Sequence, residues 1–574
     1  MKIRKYYGSV TFVIIFLLCL TCFTPLSLTQ TFNQNNLYDI LFSEDQILFA
    51  PMYSTKTYLI NKNGDVTHTW SSNYFPGESV YMLENGTVLR SIKMTLSGGG
   101  VGGGVQKISW DNTLLWDYKF YSDTYVSTHD IEPLPNGNVL ILAWEEKSRN
   151  EAIAAGRNPN TILDSIKSNF IVEVKPTGLT TGDIVWQWHV WDHLIQDYNP
   201  SKANYGIVKN HPELININFG SSSTGTDQSD WLHCNSIDYN PVFDQILISV
   251  RHFSEIWVID HSTTTEEAAG HTGGKSGKGG DLLYRWGNPR AYKRGTSSDR
   301  KLFEQHDATW IKQGYPGEGH ILVFNNGNNR PGVEYTSIDE IVPPVDGNGN
   351  YFIENGSAYG PKEQIYIYNT SFFANYIGGA QRLKNGNTVI CNGPEGKFLE
   401  VTPNNEIIWQ YTNPFPNLFV NDVFKIDYIS VENHSPDTPD LDCDGNLIWT
   451  NVLCKSIVNG SFSIKNIGGN ASVLNWKIES YPSWGTWSFS PDSGENLKPS
   501  DGEIIVNVSV LAPDKKSRTF EGIIIVINQD NPVDLDFVNV YLKTPRSINP
   551  GFSFFNFLNN QKFFSLFLKL FYKS

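Results

Sequence analysis

Polar turns followed by short β-branched or alternating apolar runs recur along the chain up to about residue 430. One phrase is a turn and then a strand: LENGTVLRSI, LPNGNVLILAW, PVFDQILISV, GEGHILVFNNG and LKNGNTVICNG, beginning near residues 83, 134, 241, 317 and 383. The other is a polar turn and a strand ending in aromatics: NGDVTHTW, NTLLWDY, GDIVWQW, GDLLYRW and NEIIWQY, ending near residues 70, 118, 188, 286 and 411. Asn-Gly between β-branched runs signals a hairpin, because both central residues of the favoured two-residue turn need positive φ. Each pair of phrases therefore predicts one small antiparallel sheet. Four-stranded sheets with shared signatures and irregular insertions describe a closed β-propeller better than a sandwich, since radial closure buries the repeated aromatic faces against neighbours. Five copies are clear, and KEQIYIYN, Lys362 to Asn369, is the expected sixth blade.

The phrasing stops after about Ser430. From Asp440 to Pro545 the runs SFSIKNIG, LNWKIES, EIIVNVSVLAP and GIIIVINQ alternate differently and predict a separate immunoglobulin-like sandwich. The expected fold class is thus all-β, a six-bladed β-propeller followed by an immunoglobulin-like β-sandwich. Ahead of them, Lys2, Arg4 and Lys5 precede an apolar run from Val10 to about Leu20 that is too short to span a bilayer. That order predicts a signal peptide over residues 1–29 and a protein secreted or held at the cell surface. The expected organisation continues with the propeller over 30–430, the sandwich over 431–547 and an aromatic, basic tail over 548–574. Lys562, Lys569 and Lys573 interrupt that tail too often for a spanning helix. Attachment to a membrane surface, docking on a partner and burial against the sandwich all stay open for it.

Composition agrees with strands and turns: 13% aromatic residues, 16 tryptophans, 48 glycines, 29 prolines and only 18% charged residues. The net charge of −15 is spread along the chain, which leaves no basic stripe for nucleic acid. Cys19 and Cys22 leave with the signal, and Cys443 and Cys454 are the expected disulfide pair. Asn85, Asn355, Asn369 and Asn470 stand in N-x-S/T triplets that permit glycosylation. The acidic DLDCDGN run fails as an EF-hand because its twelfth position is Asn451, and it reads as a solvated turn.

Two stretches imitate ligand sites. GHTGGKSGKGGD, Gly270 to Asp281, lacks the GxxxxGK[ST] pattern and reads as a flexible loop. His189 and His193 stand four apart in WQWHVWDHL, but the first half is a strand phrase and no third ligand for a catalytic zinc is evident nearby. They read as structural histidines.

A dispersed set carries more weight: His129 in STHDIEPLPNGN, His233 in DWLHCNSIDYN, His252 in SVRHFSEI, His306 in EQHDATW and Arg330 in FNNGNNRP. Each histidine lies just before a predicted strand or at its edge. Corresponding ends of successive blades converge on a central channel, so residues scattered in sequence meet in space.

At these residues the chain resembles the bacterial arylsulfate sulfotransferases. DWLHCNSI, SVRH, QHDATW, NNGNNR, AQRLKNGNTVICNG and VWDHL carry the resemblance, over roughly Leu37 to Pro416. It implies an exported six-bladed propeller that moves a sulfuryl group from a phenolic sulfate ester to a phenol, through a histidine, with neither a nucleotide donor nor a cofactor. By motif, His233, His306 and Arg330 match family active-site positions. The resemblance places the sulfur-accepting histidine after the arginine turn, where no histidine occurs between Arg330 and His434. Without the family, the chemistry asks for a neutral imidazole as nucleophile, a fixed cation for the sulfuryl oxygens and an acid for the departing phenolate. Arg330 suits the cation, and His306, His233 and His252 share the other roles. Two further readings remain: a diverged aryl ester hydrolase, and a non-catalytic extracellular propeller that binds glycans or proteins.

Overall fold

The computed structural model describes residues 44–545 except 84–85, 95–99, 221–228, 431–437, 470 and 532–533. The signal peptide, the C-terminal tail, His434, Asn85 and Asn470 lie outside the described residues. The chain divides into two compact units that part between residues 431 and 432.

The first unit is nearly all strand. It holds six four-stranded antiparallel sheets. Sheet 1 joins the chain's two ends: Val423–Ile429 pairs with Gln46–Pro51, followed by Lys56–Asn61 and Val66–Ser71. The other five run in sequence order, and their first strands are Pro76–Met82, Tyr125–Pro133, Cys234–Asn240, His306–Trp310 and Gly379–Arg382. These first strands, with Val423–Ile429, touch one another in cyclic order, so the six sheets close into a ring.

Two devices explain the closure. Each first strand is an inner sheet edge whose free N–H groups need acceptors, and the neighbouring strand supplies them. Asp427 accepts from Met82 N at 2.9 Å, Asp130 from Ile237 N at 3.2 Å, Ser236 from Ala308 N at 3.0 Å and Asp307 from Ala380 N at 2.9 Å. At the periphery, an aromatic of a fourth strand reaches the next sheet. Trp70 donates to Ser109 O, Trp116 to Thr181 O, Trp188 to Gly280 O, Trp286 to Pro361 O and Trp409 to Lys62 O, all at 2.6–3.0 Å. Tyr366 completes the circle from sheet 5 through Asn405 at 2.6 Å.

The expected sixth blade at Lys362 to Asn369 is corrected. Tyr366–Asn369 is the fourth strand of sheet 5, and the additional sheet is the one built from both chain ends. The phrase NGDVTHTW gives one of its strands, Val66–Ser71, but the strand that closes it, Val423–Ile429, lies more than 350 residues away.

A buried charged hub occupies the ring's interior. Lys425 Nζ lies 2.8 Å from Asp130 and 3.3 Å from Asp307, and Tyr81 donates to Asp130 at 2.8 Å. Burial works against the Lys425 ammonium, but the Asp130 and Asp307 carboxylates outweigh it and raise its pKa.

The second unit packs a four-stranded and a five-stranded sheet around one apolar core that includes Phe462, Ile464, Trp476, Val506, Ile524 and Val540. Ile504–Leu511 alternates buried and exposed positions, as a strand with one covered face must. The expected Cys443–Cys454 disulfide is absent: the four described cysteines are all free thiols. Cys443 sits in Leu441–Asp444 of one sheet, and the next strand, Leu447–Trp449, has already crossed to the other and leads Cys454 away. Most of the acidic DLDCDGN run is that first strand rather than a turn.

Candidate active site

Four of the five singled-out residues are imidazoles at one end of the inner strands. His129 lies within Tyr125–Pro133, His233 directly precedes Cys234–Asn240, His252 is in the short turn Arg251–Phe253, and His306 opens His306–Trp310. The backbone is irregular where they sit. His129 and His233 have φ of 49° and 52°, and Asp307 beside His306 has 42°. The ladder slips between Ser127 and Ile131, between Cys234 and Ser236, and between His306 and Ala308. Such bulges re-aim side chains and cost conformational energy that the surrounding sheet must hold. At Asp307 the bulge turns the carboxylate to Lys425 and Ala380 N, away from the His306 ring.

The rings converge. The His233 centroid lies 4.6 Å from His129 and 4.9 Å from His252, and Phe424 stands 6.1 Å from His129 and 6.3 Å from His306. Gly100 presses against His129. A Cβ there would fall 1.9 Å from the ring's Cε1, so only glycine fits.

Hydrogen bonds settle the tautomers. Asp230 Oδ2 takes the Nδ1 proton of His233 at 2.5 Å, and the Asp230 carbonyl takes that of His252 at 3.1 Å. Thr128 spends its hydroxyl proton on Gly100 O at 2.7 Å, so it accepts from His129 Nδ1, also at 2.7 Å. Asn326 donates its amide to Ala374 O and Ile377 O, which leaves its oxygen to accept from His306 Nδ1 at 2.8 Å. All four rings therefore carry the proton on Nδ1 when neutral. His129 and His233 then present unprotonated Nε2 atoms with no hydrogen-bond partner among the described residues. His252 Nε2 faces the Arg251 guanidinium at 3.5 Å.

The environment disfavours the charged form of three of these rings, His129, His306 and His252. Burial, then the nearby His233 and His306, holds His129 well below the ordinary imidazole range. Burial and then Arg251 does the same to His306. Burial and then His233 lowers His252 to about 4. For Asp230 burial alone would raise the pKa, but His233 and His252 overcome it and keep the carboxylate ionised.

Arg330 is not hydrogen-bonded to any imidazole. Its guanidinium bonds Tyr335 Oη at 3.3 Å and Ser337 Oγ at 3.0 Å, and it stacks on Phe303 and Tyr335. A short chain leads from it to the site. The neighbouring Asn329 donates to Glu304 at 3.0 Å, and Glu304 pairs with Arg251 at 2.7 Å. Arg251 is thus the guanidinium beside the rings, and its Nε is buried without a partner.

Sequence reasoning passed over Arg251, Asp230, Asn326 and Glu78. The first three stand inside the quoted motifs, Arg251 next to His252, Asp230 three positions from His233 and Asn326 in the NNGNNR turn. Glu78 had no signal. It is 3% exposed, accepts from Gly100 N at 2.8 Å through Oε1, and leaves Oε2 buried and unpartnered. Burial pushes its carboxyl up to about 7.

The family model for arylsulfotransferase (ASST) matches residues 44–413, well over half of the chain. The chain belongs to the arylsulfotransferase family. An arylsulfotransferase-type function on small phenolic substrates goes with that membership. No curated protein matches this arylsulfotransferase. Among solved structures it is similar to a Bacteroides caccae protein of unknown function, at 14% identity over 67% of this chain and 99% of that one, TM-score 0.37. It is also similar to virginiamycin B lyase from Staphylococcus aureus, at 11% identity over 65% and 82%, TM-score 0.31. Likenesses at these scores carry no argument about its activity.

Proposed function

We propose that this arylsulfotransferase is an exported six-bladed propeller with an immunoglobulin-like second unit, and that it moves a sulfuryl group from a phenolic sulfate ester to a phenol with His233 as the nucleophile. No nucleotide donor is needed. One observation carries the choice: His233 is the only one of the four rings whose Nδ1–H is held by a carboxylate, while its Nε2 is open. When Nε2 bonds to sulfur, the ring becomes a cation, and Asp230 offsets that charge.

In the first half, the Nε2 lone pair attacks sulfur, the bond from sulfur to the phenolic oxygen breaks, and the departing oxygen takes the electron pair and a proton. Neutral rings with Nδ1 locked have no proton on Nε2 to give. Glu78 is a buried carboxyl that keeps its proton near neutral pH, hydrogen-bonded to the Gly100 N–H whose residue packs on His129. We assign it the acid's role, and Arg251 that of the cation for the sulfuryl oxygens. Arg330 then braces that wall through Asn329 and Glu304. In the second half, an acceptor phenol gives its proton back to this carboxylate, its oxygen attacks sulfur, and the bond from Nε2 to sulfur breaks.

The test supplies a chromogenic aryl sulfate with and without a phenol acceptor, followed by mass spectrometry of the acid-quenched enzyme. Transfer through His233 predicts acceptor-dependent turnover and a sulfuryl group on the peptide holding His233. An adduct on another histidine would refute the nucleophile. Steady release of phenol in water alone would replace transfer with hydrolysis.

A further inference from the structure

A second group of imidazoles lies outside the ring's interior, where the fourth strand of sheet 3 meets the long excursion of sheet 4. His193 ends the turn Val190–His193 that follows the strand Gly182–His189, and it is 0% exposed. Its two nitrogens both face oxygen. Nε2 lies 2.8 Å from the Ala268 carbonyl, and Nδ1 lies 2.9 Å from Asp281 Oδ1. His271, in the glycine-rich loop, brings its Nδ1 to the same Asp281 oxygen at 2.8 Å.

A carbonyl only accepts, so Nε2 carries the ring proton and Nδ1 turns its lone pair toward a carboxylate. Two lone pairs facing each other in a buried place require a cation between them: a second proton on the ring or a metal ion. The donor set decides between them. Two imidazole nitrogens and one carboxylate oxygen converge within 4.8 Å of one another. The carbonyl behind His193 fixes its tautomer, as the outer partner of a metal-bound histidine does. The Trp188 ring lies parallel to it, 5.7 Å away, and orients it further. The His271 side chain is 60% exposed, which gives an ion a route from solvent.

We infer that His193 Nδ1, His271 Nδ1 and the Asp281 carboxylate form a site for one divalent transition-metal ion of the zinc type, with a fourth position open to water. Nitrogen and carboxylate donors in a three-plus-one set suit Zn²⁺. A tetrahedral shell with bonds of about 2.0–2.1 Å spaces its donors about 3.3 Å apart, so each imidazole nitrogen parts from the Asp281 oxygen by about 0.4–0.5 Å on binding. The loop has room for this, with glycines at 270, 273, 274, 277, 279 and 280 around His271. Gly280 also permits the close fit, since a Cβ there would come within 2.0 Å of Ala268 O and 2.6 Å of His193 Nε2. The ion would clasp the sheet 4 excursion to sheet 3 at the ring's periphery.

The Asp230, His233 and His252 group also brings three donors together, but there the nitrogen nearest Asp230 carries a proton in both rings, and that proton already fills the gap. The two groups can therefore be told apart experimentally. The full chain, stripped with EDTA, is titrated with zinc chloride by calorimetry, and Co²⁺ serves as a spectroscopic probe. One equivalent of Zn²⁺ should bind at micromolar or lower concentration and raise the thermal midpoint by about 2–5 °C. His271→Ala, at an exposed position, should weaken binding at least tenfold and remove the intense visible Co²⁺ bands of a tetrahedral site, without changing the metal-free midpoint or sulfuryl transfer. His252→Ala should leave the zinc stoichiometry intact. No zinc uptake by the parent chain, unchanged binding by His271→Ala, or loss of zinc through His252→Ala would each overturn the assignment.

Discussion

Two polar clusters share the ring's interior and are one residue apart on two strands: His129 beside Asp130, and His306 beside Asp307. In the hub, every strong charge is answered, because Lys425 meets Asp130 and Asp307 and Tyr81 adds a proton donor. At the imidazole end the reverse holds, since each Nδ1 is pinned and the Nε2 atoms of His129 and His233 are left open. A saturated buried cluster holds a fold together, while an unsaturated one has lone pairs available for chemistry. The sharpest way to break the contrast is His233→Ala. It should lower kcat for sulfuryl transfer about 10³–10⁴-fold and leave the unfolding midpoint within a few degrees, measured by a chromogenic assay alongside thermal melting.

Lys425→Met should show the opposite signature. The thioether keeps the volume but strands two buried carboxylates, and breaking a buried pair costs about 3–5 kcal/mol. Chemical denaturation should report that loss, whereas the kcat of the fraction still folded should change much less than in His233→Ala. Equal effects on rate and stability from both variants would erase the distinction between the clusters.

The same contrast explains what could be read from the sequence. The aromatic phrases were visible because one indole per sheet must end each fourth strand to reach a carbonyl in the next sheet, which repeats a tryptophan at like positions. Sheet 5 uses Tyr366 with a different partner, so its phrase stands apart from the tryptophan series, and the sheet shared by both chain ends keeps only the aromatic phrase ending at Trp70. The histidines stood out as rare residues beside strand phrases. Their meeting depends on the bulges at His129, His233 and His306, which no periodicity encodes. Arg330 is marked in the sequence by its glycine-rich turn and its motif, whereas Arg251 takes its importance only from standing beside His252 in the folded site. Glu78 was invisible, because its interest arises only from burial without a partner for Oε2.

Glu78→Gln sharpens the comparison by removing a buried carboxyl beside the imidazoles that titrates near neutrality. The folded group keeps its proton up to about 7, while the unfolded one releases it near 4.5. Its contribution to stability is therefore full below 4.5 and is lost as pH rises through about 7. Gln has no such loss, so relative to the parent the variant should gain about 3 kcal/mol between about pH 4.5 and about pH 8. In the rate profile, the parent should lose kcat above about pH 7 as the acid deprotonates. The variant should be slower and lack the alkaline decline. Persistence of that decline in Glu78→Gln would assign it to another group.

The smallest expected effect is that of Asp230→Asn, and its size tests the link between the carboxylate and one particular ring. An amide at residue 230 can accept the His233 proton through its oxygen or donate to the ring through its nitrogen, so the tautomer is no longer fixed, and the negative charge facing a sulfurylated ring is gone. The His252 ring keeps its hydrogen bond, because its Nδ1 is bound to the Asp230 backbone carbonyl, and loses only the nearby negative charge. If His233 is the nucleophile, kcat should fall about 10–100-fold, with slower formation of the sulfuryl adduct in a rapid-quench experiment. If His252 held that role, a substitution that spares its carbonyl anchor and removes only a neighbouring charge would slow adduct formation far less than tenfold.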